Sequence, residues 1–304
     1  MHTREIQEAI LKLKKEKDAV ILAHSYQAPE ILEVADYTGD SFRLSVVAKD
    51  LPQKTVLLCG VRFMADTVKI LSPEKTVILP VPEATCPMAE QISPERVLAY
   101  RAENPGHKVV AYINTTTALK AVCDVCVTSS SALKIVGGLP EKDILFIPDQ
   151  NLGSYIAQQL PEKNIILWDG MCPIHGMITP EECAAAKAAH PHAKLLMHPE
   201  LPASVVQYAD YVGSTAGIIQ YALSCSEDCI IGTEKSIADF LSYQCPDRRF
   251  YQLSKRLICP DMRLTTLMDL YQALRGTSGE EIQIEEKLRL AAKHAIDEMI
   301  RLGD

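Results

Sequence analysis

Residues 20–41 read VILAHSYQAPEILEVADYTGDS. An apolar, strand-like run ends in His24, Asp36 follows twelve residues later, and VADYTGDS then leads into Ser41. The plan recurs twice. VVAYIN (109–114) and KLLMHPE (194–200) place Tyr112 and His198 in register with His24, at offsets of 88 and 86 residues. Asp124 and Asp210 again lie twelve residues on, and CDVCVTSSS and ADYVGST lead into Ser129 and into Ser214 and Thr215. Self-similarity at a fixed long period marks a repeat architecture.

Each copy continues with a third apolar run: TVLLCG (55–60), DILFIPD (143–149) and CIIGTE (229–234). A fourth follows: TVILP (76–80), NIILW (164–168) and RFYQL (249–253), the last being the weakest. Between them lie segments of helical period, such as SFRLSVVAKDL, ALKIVGGL, SYIAQQL and SIADFLSY. Short strands alternating with helices imply parallel sheets joined by right-handed helical crossovers. The expected fold is α/β: three similar small three-layer α/β/α units, over 18–86, 106–172 and 192–259, in a pseudo-threefold arrangement around a central site. Segments 1–17 and 280–302 read as flanking terminal helices outside the repeat.

After the fourth run each copy carries a Cys-Pro pair: Cys86-Pro87, Cys172-Pro173 and Cys259-Pro260, at intervals of 86 and 87 residues. That spacing is too long for one local metal loop, but it suits one thiolate donated per unit. Structural zinc prefers a complete set of four protein ligands. Three thiolates with no obligatory fourth suit a [4Fe–4S] cluster with one open iron. Cys59, Cys183, Cys225, Cys229 and Cys245 read mainly as core, and Cys123-x-x-Cys126 lacks a matching second pair. With 304 residues the chain does not need disulfide staples, so reduced thiols or metal ligands are expected.

Ligands of open parallel sheets collect beyond the carboxyl ends of the strands. His24, Tyr26, Tyr112, Asn114, His198 and Glu200 stand there, and His175 lies three residues after Cys172. Glu200 is the best candidate for moving a proton, because burial and neighbouring charge tune carboxylates. Ser41, Ser129, Ser214 and Thr215 read as helix N-caps able to present N–H groups to phosphate or carboxylate. The formal charge of −8 argues against a sequence-independent grip on nucleic acid. The charged N-terminus lacks a signal-peptide core and no apolar run is long enough for a membrane span, so a cytoplasmic setting is expected.

Several segments together resemble the quinolinate synthase family: ILAHSYQAPEI, ADYTGDS, ATCPMA, YINT at 112–115, VTSS at 127–130, GMCPIHG, HPE at 198–200, DYVGSTAG and CPDMRLTTL. The resemblance implies condensation of iminoaspartate with dihydroxyacetone phosphate, losing phosphate and two waters to give quinolinate in de novo NAD biosynthesis, a reaction of the EC 2.5.1 class. It implies that Cys86, Cys172 and Cys259 hold the cluster and that the open iron acts as a Lewis acid. Glu200, Tyr26, Tyr112 and His198 would be catalytic. Substrate contacts would come from His24, Ser41, Tyr112, Ile113, Asn114, Ser129, His175, His198, Pro199, Glu200, Ser214 and Thr215, with Ser41 and Ser129 on the phosphate. An aspartate oxidase or dehydrogenase would supply iminoaspartate. Ser25 and Asp261 stand where many members have asparagine, and no extra Cys-x-x-Cys adjoins Cys259. Two rivals share the cysteine pattern: a diphthamide-forming radical enzyme using S-adenosylmethionine, and a non-enzymatic zinc or electron-transfer module.

Overall fold

The computed structural model describes residues 2–303; Met1, the first residue of the flanking segment 1–17, lies outside them. Three sheets of parallel strands are present. The first holds β1 (Ala19–His24), β2 (Tyr37–Gly39), β3 (Thr55–Cys59) and β4 (Thr76–Leu79). The second holds β5 (Lys108–Tyr112), β6 (Val125–Val127), β7 (Asp143–Ile147) and β8 (Asn164–Leu167). The third holds β9 (Lys194–Met197), β10 (Tyr211–Val212), β11 (Cys229–Gly232) and β12 (Phe250–Gln252). Every sheet has its four strands in the same order, second–first–third–fourth, and helices flank each one. The inner strands β1 and β11 are buried throughout, as continuous apolar runs covered on both faces must be.

The chain forms two compact units: the residues up to Cys86 with Cys259–Lys293, and Pro87–Ile258 with the residues from His294. The first unit contains the first sheet. Its core joins Ile21, Ala23 and Leu57 to Ile6 and Ile10 of the helix Thr3–Glu16 and to Leu270 and Leu274 of the helix Leu267–Arg275. The second unit contains the other two sheets, and the core of the third centres on Leu195, Met197, Ile230 and Leu257.

The repeated aspartates prove to be staples. The Asp36, Asp124 and Asp210 carboxylates accept hydrogen bonds from the backbone N–H groups of Ile21, Val109 and Leu195 at 2.8, 2.7 and 2.8 Å. Each thus fastens the entry to the second strand onto the first. Each is also paired with a cation: Lys14 at 2.9 Å, Arg101 at 3.0 Å and Lys187 at 2.8 Å. These cations come from the helices Thr3–Glu16, Pro94–Glu103 and Pro180–Ala189, each of which precedes the first strand of its sheet. The N-terminal helix, expected outside the repeat, therefore has a counterpart before every sheet.

The expected helix over 280–302 also differs. Glu280–Glu281 form β13, antiparallel on β4, with Arg62 paired to Glu280, and the helix runs only over Glu286–Gly303. Strand pairing with an exposed edge prevails over helical period in these first residues. No helix among the described residues is long and apolar enough to cross a membrane.

Candidate active site

In all three sheets the first strand lies between the second and third, so the order reverses beside its carboxyl end. That switch point is where such sheets bind ligands. In the second unit the ends of β5, β7, β9 and β11 supply a connected set of buried polar side chains. Tyr112, the last residue of β5, donates its hydroxyl to Glu200 Oε1 at 2.7 Å. His175 Nδ1 lies 3.0 Å from Glu200 Oε2 and 3.3 Å from Cys172 Sγ. Its Nε2 meets Thr233 Oγ1, just beyond β11, at 3.1 Å. Both partners of Nδ1 are acceptors when ionised, so Nδ1 carries the proton and Nε2 accepts from Thr233; this tautomer is assigned from the bonding pattern.

His198 Nδ1 faces the backbone N–H of Glu200 at 3.3 Å, and Nε2 lies 3.2 Å from Ser129 Oγ. Accepting at Nδ1 leaves Nε2–H as the donor to Ser129. The register-equivalent His24 is turned in the same way, with its Nδ1 accepting from the Tyr26 N–H at 3.1 Å. The short Xaa-His-x-x turn after the first strand therefore sets the imidazole angle in both copies.

The electrostatics separate these groups. Burial pushes His198 down to about 4, so it is neutral at physiological pH. Burial also works against the charge of Glu200, but the neighbouring His198 and His175 and the hydroxyl of Tyr112 outweigh it and bring the carboxyl to about 2. With His198 neutral, the His175 and Tyr112 donors hold that charge above pH 4. Asp149 behaves oppositely: burial and the Glu200 charge push it up to about 7. One buried carboxylate thus keeps its charge, while the other titrates near neutrality.

Asp149, Asn151 and Thr233 were not foreseen from the sequence. Asp149 caps the helix Gln150–Gln159 through the Leu152 N–H at 2.7 Å and holds the Cys172 N–H at 2.9 Å. Asn151 donates to the Glu200 carbonyl at 3.0 Å. Asp149 and Thr233 follow the third strands of their sheets, and the strand-end rule would have found them had it been applied there as well as to the first strands.

The anticipated capping is corrected at three positions. Asp40, not Ser41, caps the helix Ser41–Asp50, accepting from the Arg43 N–H at 2.9 Å. Ser129 caps nothing, because the helix Ala132–Gly138 starts after Ser131. Thr215 is the first residue of its helix, and its neighbour Ser214 caps it through the Gly217 N–H at 3.2 Å. In the first and third cases the acceptor one residue earlier has the extended backbone a cap requires. Ile113 and Pro199 are buried beside the polar set, Asn114 is half-buried, and His24, Tyr26 and Ser41 belong to the first unit.

Cys86, Cys172 and Cys259 each lie on the loop after the fourth strand of a sheet, and each is half-buried. By contrast Cys59, Cys123, Cys126 and Cys183 are core residues, and burial pushes Cys59 up to about 12 and Cys126 and Cys183 to about 11. All ten cysteines are thiols outside any disulfide. Among the described residues Cys172, His175 and Glu200 form a cluster whose donor atoms lie within 4.8 Å of one another.

The fold and these loops define a class: an α/β protein of three like parallel sheets, each offering one accessible cysteine after its last strand. A family model described as Quinolinate synthetase A protein matches residues 8–301. The chain is 46% identical over 296 residues to the quinolinate synthase of Clostridioides difficile strain 630, covering 97% of each chain. It is 46% identical over 300 residues to that of Clostridium perfringens strain 13, covering 98% of this chain and 99% of the other. Against that of Caldicellulosiruptor bescii it is 44% identical over 304 residues, the whole of both chains. The chain belongs to the quinolinate synthase family.

Proposed function

We propose that this protein is a cytoplasmic quinolinate synthase that condenses iminoaspartate with dihydroxyacetone phosphate, releasing phosphate and two waters, as a step of de novo NAD biosynthesis. The observation that carries the reading is a buried, ionised Glu200 joined to Tyr112 on one side and, through His175, to the sulfur of Cys172 on the other. The three Cys-Pro loops fit a [4Fe–4S] cluster by donor chemistry: three half-buried thiols at equivalent positions, set apart from the core cysteines. Cys86, Cys172 and Cys259 would hold it, and when bound it supplies a Lewis acid at its open iron.

The residues themselves do the rest. Tyr112 points its proton at Glu200. A proton taken from substrate by the Tyr112 oxygen passes on as the tyrosine proton moves to Glu200, a two-residue relay. Glu200 starts as a weak base. Bound anionic substrate raises its affinity for protons, because like charges resist sharing a site. His175 steadies the carboxylate with its N–H. Neutral His198 offers a hydrogen bond rather than a proton and orients Ser129. Tyr26 is proposed as a second proton carrier. His24, Ser41, Asn114, Ile113, Pro199, Ser214 and Thr215 are proposed substrate contacts, with Ser41 and Ser129 on the phosphate. An aspartate oxidase or dehydrogenase is the expected source of iminoaspartate.

The Cys172–His175–Glu200 cluster favours one alternative, a structural zinc site. Protein purified without oxygen decides between them. Iron and sulfide together with quinolinate formed from both substrates support the synthase, whereas one zinc per chain and no iron would remove it.

A further inference from the structure

Two cysteines outside the proposed active site stand face to face. Cys225 follows the helix Thr215–Ser224, Cys229 opens β11, and their Sγ atoms are 3.5 Å apart. Arg248 lies against both, with Nη2 at 3.3 Å from Cys225 Sγ and 3.6 Å from Cys229 Sγ. The guanidinium is fixed there by the carbonyls of Ala222 and Glu227, each at 2.5 Å, and rests over the Phe250 ring at 4.9 Å. Cys225 is partly exposed and Cys229 is fully buried.

We propose that Cys225 and Cys229 are a redox-active dithiol that closes to a disulfide on reaction with small oxidised thiols. The thiolate is the nucleophile in such exchange, and the Arg248 guanidinium at 3.3 Å from Cys225 Sγ is placed to pair with it during attack. Exposure makes Cys225 the attacking group. Burial, reinforced by Cys225 beside it, pushes the Cys229 thiol up to about 12, so it stays protonated in the reduced pair and does not open the reaction. In the first step the Cys225 thiolate attacks one sulfur of the small disulfide and expels one thiolate. Cys229 then gives up its proton and attacks Cys225 Sγ, breaking the mixed disulfide and expelling the second thiolate. The protein loses two electrons and two protons, and the small disulfide takes them up to become two thiols. The sulfurs need only close from 3.5 Å to about 2.05 Å. The new bond would tie the end of the helix capped by Ser214 to the start of β11.

Cys123 and Cys126 serve as an internal control: both are buried, and Cys123 donates to the Leu119 carbonyl at 3.0 Å. Full-length protein with its cluster intact is equilibrated in buffers of oxidised and reduced glutathione, quenched with iodoacetamide, and digested with trypsin. The peptide from 195 to 235 contains Cys225 and Cys229 and no other cysteine. The expected product is that peptide lighter by two hydrogens and closed to alkylation, while the 121–134 peptide with Cys123 and Cys126 stays reduced. Cys229→Ser is expected to stop at a glutathione adduct on Cys225, and Cys225→Ser to leave Cys229 unmodified. Arg248→Gln is expected to slow the first step several-fold. If Cys225 and Cys229 are both alkylated wherever the control pair is still reduced, or if wild type stops at the mixed disulfide, the proposal is overturned. Neither result bears on quinolinate formation.

Discussion

Asp210 and Glu200 are carboxylates ten residues apart in the third repeat, yet they belong to different categories of polar group. Asp210 has equivalents in Asp36 and Asp124, each binding the same backbone N–H and a cation from the preceding helix. Glu200 has no acidic equivalent, because its register positions in the other copies are Tyr26 and Asn114. The staple is repeated since every sheet must fasten its second strand. The carboxylate beside Tyr112 and His175 appears once, as a group used for chemistry rather than folding would. Of these two carboxylates, the repeated one fastens the fold and the unrepeated one is the one proposed to serve the reaction.

The comparison can be broken most severely at the cysteines. Cys172→Ala should abolish cluster content and quinolinate formation together while the circular dichroism spectrum stays close to wild type, because each sheet keeps its own core. Global unfolding would instead mark Cys172 as structural. Next in size, Glu200→Gln should retain iron and sulfide but lower kcat by about 10²- to 10⁴-fold, the usual worth of a positioned proton carrier. Turnover near wild type would end its role.

Staple substitutions should do the opposite. Asp210→Asn, Asp124→Asn and Asp36→Asn should each lower unfolding stability by up to about 1.5–3 kcal/mol, the range for a hydrogen bond to a charged group. The kcat of the folded fraction should stay near wild type. Burial opposes the charge of Asp210, but the Leu195 N–H and Lys187 outweigh it and hold the carboxyl below the usual range. Its stabilisation is therefore present above the unfolded value of about 4 and lost as pH falls below it. A denaturant titration at pH 7 and pH 3 should show the wild-type advantage over Asp210→Asn shrinking at the lower pH.

The smallest effect sharpens the other side. His198 is held down to about 4 from an unfolded value of 6.5. Between those values the unfolded chain binds the extra proton, so this contribution is whole above pH 6.5 and is lost as pH falls toward 4. His198→Gln should flatten the fall of Tm between pH 6.5 and 4.5 relative to wild type. An unchanged slope would show that His198 is not held neutral.

The sequence alone determined the three sheets. Strand period, apolar runs and the register of His24, Tyr112 and His198 are local properties, and a repeat supplies each signal three times. It likewise marked the Cys-Pro loops and the strand-end histidines and Glu200, because position after a strand is itself a sequence property. What the tertiary structure decided is who meets whom. The bonds of Glu200 to Tyr112, of Asp149 to the Cys172 backbone and of Cys225 to Cys229 depend on strand order and loop closure. Even capping by Asp40 in place of Ser41 turns on one backbone torsion. Such contacts depend on which strand ends and loops face one another, so only the packing of the sheets could fix them, and with them which carboxylate keeps its charge.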